Sequence, residues 1–146
     1  MLLTQTTRSF KARLDTLFRI THTGTFNVSI QALMLIYHVS AAKRVSPSFC
    51  PHSLVLTSSS QAVSDRFYRA LYASLFDPRL AGSSKQALYL NLVFKAMKQD
   101  TDPKRVMAHI KRLVQVMLGM EVTFILGSIW IVGEVRPLSP SLSECC

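Results

Sequence analysis

Cysteine, glycine and long apolar runs are all scarce in this chain of 146 residues. Its 3 cysteines include the adjacent terminal pair Cys145 and Cys146, so the sequence does not indicate a disulfide framework. CxxC and HxxxH spacings are missing, which leaves a zinc site without support. The most apolar stretch, residues 122–133, is shorter than the roughly 20 residues that a membrane helix needs. We therefore expect no metal, no membrane partner and a reducing compartment.

Acidic side chains are also few. Eight Asp and Glu stand against 17 Lys and Arg, which gives a net charge of +9 and a pI near 10.0. Residues 65–117 hold ten of the basic and four of the acidic side chains, whereas residues 118–146 hold one and three. A basic balance of this kind favours polyanionic partners, of which nucleic acid is the commonest.

Catalytic signatures are missing as well. The sequence contains no GxSxG, Walker or GxGxxG pattern. His38 falls on the apolar face of a predicted helix, where a core or groove histidine is expected, and His109 falls among basic residues, where a surface position is expected. We expect a protein that is not an enzyme and has no catalytic residue, cofactor or small-molecule substrate. The four histidines are scattered: His22, His38, His52 and His109.

Apolar residues recur at the helical spacing of 3.6 residues through most of the chain, and no run alternates as a half-buried strand would. The pattern predicts an all-α fold of about six helices with broad apolar faces. Such faces favour helix pairs stacked side by side, so we predict a helical-repeat segment of the armadillo/HEAT-like α-solenoid type. No repeat of fixed period is visible, so this prediction depends on the faces alone.

Capping signals predict where several helices begin. Ser64 is expected to cap the third helix. Ser83 and Gln86 have the spacing of a capping box for the fourth. Asp102 followed by Pro103 is a favoured start for the fifth.

Two stretches fit no helical period. Residues 45–60 contain six serines and two prolines and are predicted to form a loop that interrupts a helical domain of residues 1–135. Residues 136–146 are predicted to be a disordered tail. Within the sixth predicted helix, Gly127 followed by Ser128 favours a close approach of a neighbouring helix.

Basic side chains on the third, fourth and fifth predicted helices are the best candidates for a functional site. They provide the point charges that phosphate backbones bind, with about one counterion released per contact. Those on the fifth helix recur at i, i+1, i+7 and i+8, on one side of the helix. The alternative is a merely solvated helix face. No aromatic residues alternate with these cations in a base-stacking pattern, so we expect backbone binding. The candidates are Arg66, Arg69, Lys95, Lys98, Lys104, Arg105, Lys111 and Arg112.

Residues 63–116 include the phrases SDRFYRALY, DPRL, SSKQALYLNLVFKA and KRVMAHIKRLVQV, and residues 26–40 read FNVSIQALMLIYHVS. These phrases closely resemble the CCAAT-binding factor domain that nucleolar complex proteins share. The resemblance covers roughly residues 8–44 and 61–135, whereas the predicted loop and tail depart from the family pattern. We therefore expect the chain to be a fragment of a longer protein.

The resemblance implies a helical scaffold in the nucleolus, within the nucleus, that assists the maturation of large ribosomal subunit precursors. The implied partners are other nucleolar complex proteins and pre-ribosomal RNA and particles. The family name also implies an alternative, a transcription cofactor that acts at CCAAT-box promoters and contacts DNA. No helix-turn-helix, zinc or basic-zipper signature in the sequence favours that alternative.

Overall fold

A computed structural model of the protein describes residues 2–45 and 54–135, and these residues form six α-helices, one short 3-10 helix and no strand. The 3-10 helix, Pro78–Leu80, lies between the third and fourth α-helices along the chain. The predicted all-α fold with about six helices is confirmed. The helices are α1 (Leu2–Thr23), α2 (Phe26–Val45), α3 (Leu54–Ser74), α4 (Gln86–Gln99), α5 (Pro103–Met117) and α6 (Val122–Val135).

The chain divides into two compact units, Met1–Leu71 and Tyr72–Cys146. The first unit contains α1, α2 and most of α3, and the second contains the end of α3 together with α4, α5 and α6. The stacking of successive helix pairs into an α-solenoid stays a prediction.

The start of α3 differs from the prediction. The helix begins at Leu54, so residues 54–60 are helical where a loop was expected, and Ser64 is a buried residue inside the helix. Serine and threonine disfavour a helix interior by only about half a kcal/mol each, and α3 contains no proline or glycine between Leu54 and Ser74. The run of Ser and Thr from Thr57 to Ser60 was therefore a weak loop signal. Residues 46–53 of the predicted loop and the predicted tail, residues 136–146, lie outside the described residues.

The predicted helix caps have mixed outcomes. The Asp102 carboxylate accepts a hydrogen bond from the backbone N–H of Lys104 at 3.0 Å, so the predicted start of α5 is confirmed. The predicted capping box of α4 is wrong. Gln86 donates through its side-chain amide to the carbonyls of Leu80 and Ala81 at 3.1 and 2.9 Å, which ties the start of α4 to the 3-10 helix.

The core of the first unit is formed by α1, α2 and buried residues of α3 such as Phe67. Leu14 and Phe18, one turn apart on α1, are 5% and 2% exposed, as the helical period predicted. Ile30, Leu33 and Ile36 of α2 are almost completely buried. Each apolar side chain of this size contributes about 1.5–3 kcal/mol when it leaves water.

The orientation of α2 corrects the prediction for His38. The buried face of this helix runs through Ser29, Leu33, Ile36 and Ser40, whereas the imidazole of His38 is exposed on the other side. Because α2 is apolar on most sides, its sequence did not indicate which of its faces would be buried. Two serines of α2 are buried on this face. The Ser40 hydroxyl donates to the Tyr37 carbonyl at 2.8 Å, whereas the Ser29 hydroxyl has no hydrogen-bond partner among the described residues.

The second unit is organised around α6, which packs against both α4 and α5. Tyr89 on α4 is fully buried. Its hydroxyl lies 2.8 Å from the Ser74 hydroxyl at the end of α3. Burial raises the pKa of Tyr89 above its ordinary value, because the charged phenolate would lose its hydration.

Gly127 permits a close contact between α4 and α6. A Cβ atom at this position would lie 2.8 Å from the Leu90 Cδ1 atom, closer than real methyl groups come. The next residue, Ser128, is fully buried and donates its hydroxyl to the Phe124 carbonyl at 2.8 Å. The expected close approach at Gly127 and Ser128 is therefore confirmed.

Two glycine substitutions in α6 test this contact against a matched control. Gly133→Ala has open space around the added methyl group and should stabilise the fold by up to about 1 kcal/mol, because alanine favours the helix. Gly127→Ala should stabilise the fold less than Gly133→Ala does, because the Leu90 side chain has to move to make room for the methyl group. Urea denaturation of both variants measures the difference. Equal stabilisation by the two alanines would contradict the close contact.

Candidate nucleic-acid interface

The four candidate cations of α5 fall into two groups. Lys104 and Lys111 are exposed and form no ion pair with the described residues. Arg105 and Arg112 are half-buried and are held by other side chains. The two lysines are seven residues apart, so they lie about 10 Å apart along one face of the helix.

Arg105 is bound to a buried carboxylate. Its Nε and Nη2 atoms donate to the two oxygens of Asp100 at 2.6 and 2.8 Å, and the Asp100 side chain is only 2% exposed. Asp100 also accepts the backbone N–H of Asp102 at 3.1 Å. A bidentate pair of this kind is strong, because two parallel hydrogen bonds add to the charge attraction. Asp100 therefore neutralises the Arg105 charge. The ion pair joins the end of α4 to the start of α5.

Arg112 is held by aromatic rings. Its guanidinium carbon lies 4.1 Å from the ring centre of Phe76 and 4.9 Å from that of Tyr72. The Nε atom of Arg112 is buried without a hydrogen-bond partner, and no described carboxylate forms an ion pair with this side chain. Cation–π contacts hold the guanidinium without cancelling its charge. The sequence did not indicate this cluster, because Phe76 and Arg112 are far apart along the chain.

His109 lies beneath these side chains. The imidazole is 3% exposed, although a surface position was expected from its basic neighbours. Its Nδ1 atom lies 2.9 Å from the Arg105 carbonyl, and its ring meets the Tyr72 ring edge-on at 5.3 Å between centres. His109 follows Arg105 by one helical turn and points toward the core, so the charge of the local sequence was a poor guide to its burial.

Arg79 follows Phe76 closely in the sequence, and unlike Arg112 it forms an ion pair with a carboxylate. Its guanidinium donates to both oxygens of Asp77 at 2.6 to 3.1 Å. These hydrogen bonds hold the pKa of the Asp77 carboxyl below its ordinary value. Asp77 also caps the 3-10 helix by accepting the backbone N–H of Arg79 at 2.9 Å. The Arg79 charge is consequently compensated, whereas that of Arg112 is not.

The remaining candidates belong to both units. In the first unit, Arg66 is half exposed, pairs with Asp15 and lies over the Phe18 ring at 4.2 Å, while Arg69 is exposed. In the second unit, Lys95 and Lys98 are exposed along α4, and the Lys98 ammonium lies 5.6 Å from the centre of the Phe94 ring. The structure thus brings together the α5 cations, and it divides the predicted set between two units.

An apolar groove runs between α4 and α6 and encloses about 540 Å³. Leu90 and Phe94 line it from α4, and Gly127 and Trp130 line it from α6. Trp130 is 57% exposed and its ring contacts that of Phe94 at 5.1 Å between centres. A groove with these walls accommodates apolar side chains.

Among residues 2–45 and 54–135, no three His, Cys, Asp or Glu side chains lie close enough to hold a metal ion. No helix in this part of the chain combines the length and apolarity that crossing a membrane requires.

The described residues define an all-α protein whose second unit carries a cationic helix face and an apolar groove. The chain belongs to the CBF/Mak21 family, whose profile matches residues 29–145. The resemblance to the CCAAT-binding factor domain is therefore confirmed. The match extends through residues 45–60 and into the predicted tail, both of which were expected to depart from the family.

Curated relatives are similar over most of this chain. Ribosome biogenesis protein NOC1 of Chaetomium thermophilum is 45% identical over 92% of the chain, and CCAAT/enhancer-binding protein zeta of Homo sapiens is 39% identical over 90%. Nucleolar complex protein 1 of Drosophila melanogaster is 33% identical over 71%. The chain spans only 11%, 11% and 8% of the lengths of these three relatives.

The buried ion pair leads to a stability prediction. Asp100→Ala should destabilise the fold by about 2–3 kcal/mol, because it leaves the half-buried Arg105 guanidinium without its partner. Lys104→Ala, which removes an exposed cation from the same helix, should change stability by less than about 0.5 kcal/mol. Urea denaturation of both variants measures the contrast. Similar stabilities for the two variants would show that the pair does not hold α5 in place.

Proposed function

We propose that this chain is a non-catalytic helical scaffold segment that acts in ribosome biogenesis, in the maturation of large-subunit precursors in the nucleolus. The observation that carries the proposal is the 45% identity, over 92% of this chain, to a protein named for ribosome biogenesis. The net charge of +9 supports it, because pre-ribosomal particles are rich in RNA phosphate.

The proposed partners are other nucleolar complex proteins and pre-ribosomal RNA. The groove between α4 and α6 would take the apolar side of a partner helix, with Phe94 and Trp130 as the aromatic contacts. Exposed aromatic side chains in a pocket are frequent energetic centres of protein interfaces. The support for a protein partner is therefore the combination of this groove with relatives named as nucleolar complex proteins.

RNA backbone would bind the exposed cations of α5. Lys104 and Lys111 present two uncompensated charges on one side of the helix, and this arrangement suits successive phosphates of one strand. Lysine acts there as a point charge and reads no sequence. Binding of this type depends strongly on salt and weakly on sequence.

A second candidate function is transcription cofactor at CCAAT-box promoters, because a human relative with 39% identity is named a CCAAT/enhancer-binding protein. It predicts binding that follows the CCAAT sequence in duplex DNA at fixed salt. The scaffold proposal predicts RNA binding without such a preference. Direct competition between CCAAT and scrambled DNA duplexes on the full chain separates the two.

The scaffold proposal is tested by recovering the tagged full chain from nuclear extract with and without RNase. We expect nucleolar complex proteins and large-subunit precursors, with the precursors lost on RNase treatment. Trp130→Ala should lower protein recovery after RNase, because it removes an exposed ring from the groove. Lys104→Glu with Lys111→Glu should lower RNA recovery instead. Recovery of neither class by the unaltered chain would contradict the proposal.

The cationic face is tested by the salt dependence of RNA affinity. Lys104→Ala with Lys111→Ala should reduce the slope of log affinity against log salt by about 1.4 for single-stranded RNA, if each lysine contacts one phosphate. Lys11→Ala with Arg13→Ala removes the same charge from two exposed positions of α1 and is the matched control. Fluorescence anisotropy titrations give both slopes. The same reduction in both double variants would mean that net charge alone drives binding.

A further inference from the structure

Phe76 presents an aromatic ring to solvent just after the end of α3. Its residue surface is 65% exposed, which is high for a phenylalanine that also contacts another side chain. The Arg112 guanidinium covers one face of the ring at 4.1 Å. With one face covered, the exposure of the residue falls on the opposite face and the edge of the ring, and the guanidinium supports the ring from behind.

The charge around this ring is unbalanced. Arg112 keeps its positive charge, because its described contacts are the rings of Phe76 and Tyr72 and no carboxylate. Lys111, the residue before Arg112 on α5, is exposed. An occupant of the site thus needs a flat face for the ring and negative charge for the cations.

A nucleotide has both properties. Its base offers a π face to an aromatic side chain, and the phosphates of its strand offer negative charge to Lys111 and Lys104 on α5. Bases inside a duplex are already stacked and have no free face, whereas unpaired bases are available. The open face of the Phe76 ring therefore suits single-stranded RNA better than an RNA duplex.

We propose that the open face of Phe76, supported by Arg112, is a stacking site for one unpaired nucleotide of single-stranded RNA. This inference rests on the proposed RNA contact of the α5 lysines and adds a base contact to it. Stacking on an aromatic ring accepts any base, so a site of this kind positions a strand without reading its sequence.

The test compares two RNA probes on the full chain by fluorescence anisotropy. One probe is an oligouridylate of about 12 nucleotides, within the usual site size of single-strand binders, and the other is an RNA duplex of similar length. Phe76→Leu keeps apolar bulk and removes the π face. It should weaken oligouridylate binding at least about fivefold, the lower end of what stacking of one base contributes. Duplex affinity should change by less than about twofold, because a duplex uses only the lysines.

Phe76→Trp is the rescue variant, because it restores a larger π face at the same position. It should bind oligouridylate at least as tightly as the unaltered chain does. Lys111→Ala should lower the affinity for both probes by the same factor. Circular dichroism and urea denaturation check that the variants fold, and the exposure of Phe76 makes a large loss of stability unexpected.

The possible results are distinct. Equal affinity of Phe76→Leu and the unaltered chain for oligouridylate would overturn the stacking site and leave the proposed phosphate contacts standing. An equal loss on both probes would also overturn it, because stacking is selective for unpaired bases. Loss of a nucleolar protein partner with unchanged RNA affinity would assign Phe76 to a protein interface instead.

Two further results concern the ligand. No binding of either RNA by the unaltered chain would overturn both the stacking site and the RNA part of the proposed function. An oligodeoxynucleotide of equivalent sequence shares the base and phosphate chemistry. Tighter binding of the RNA strand, with the same selective loss in Phe76→Leu, supports the site as proposed, whereas exclusive binding of the DNA strand would overturn RNA as its ligand.

Discussion

A buried carboxylate determines how the second unit uses its positive charge. Asp100, at the end of α4, is bound by the Arg105 guanidinium and by the backbone N–H of Asp102, so it sets both the position and the rotation of α5. With that rotation, Leu113 and His109 point inward and Lys104 and Lys111 point to solvent. Once α5 is placed, Arg112 comes to lie over the exposed aromatic ring that follows α3. One ion pair thus separates structural cations from those available to a ligand.

The second unit carries two surfaces of different chemistry. The groove between α4 and α6 is apolar and has an exposed tryptophan at its wall, whereas the solvent face of α5 is cationic. Protein helices and nucleic-acid strands need these two kinds of surface respectively. Such a division is compatible with the proposed scaffold, which would bind a protein and an RNA at separate surfaces. Gly127 in this groove lets α4 and α6 approach closely, because a side chain there would clash with Leu90.

Local sequence rules succeeded where the deciding contacts are local. The Asp102 and Pro103 start of α5 was predicted because a cap involves only the next two or three residues. The start of α3 was missed because its serines disfavour a helix only weakly, so a serine-rich stretch permits a helix as well as a loop. The prediction of a capping box at Ser83 was wrong because the Gln86 side chain donates to the carbonyls of Leu80 and Ala81 instead. The sequence spacing of Ser83 and Gln86 does not reveal these partners.

The amino-acid sequence by itself determined that the protein is all-helical and basic, because helical period and net charge are properties of the chain alone. It also identified the CBF/Mak21 relationship. Tertiary structure decided which cations are neutralised and which histidine is buried. The exposed His38 and the buried His109 reverse the predicted arrangement, since an apolar period defines a face but does not say which neighbour covers it. The contact of Arg112 with Phe76 likewise required the fold, because it joins α5 to the turn after α3, which is distant in sequence.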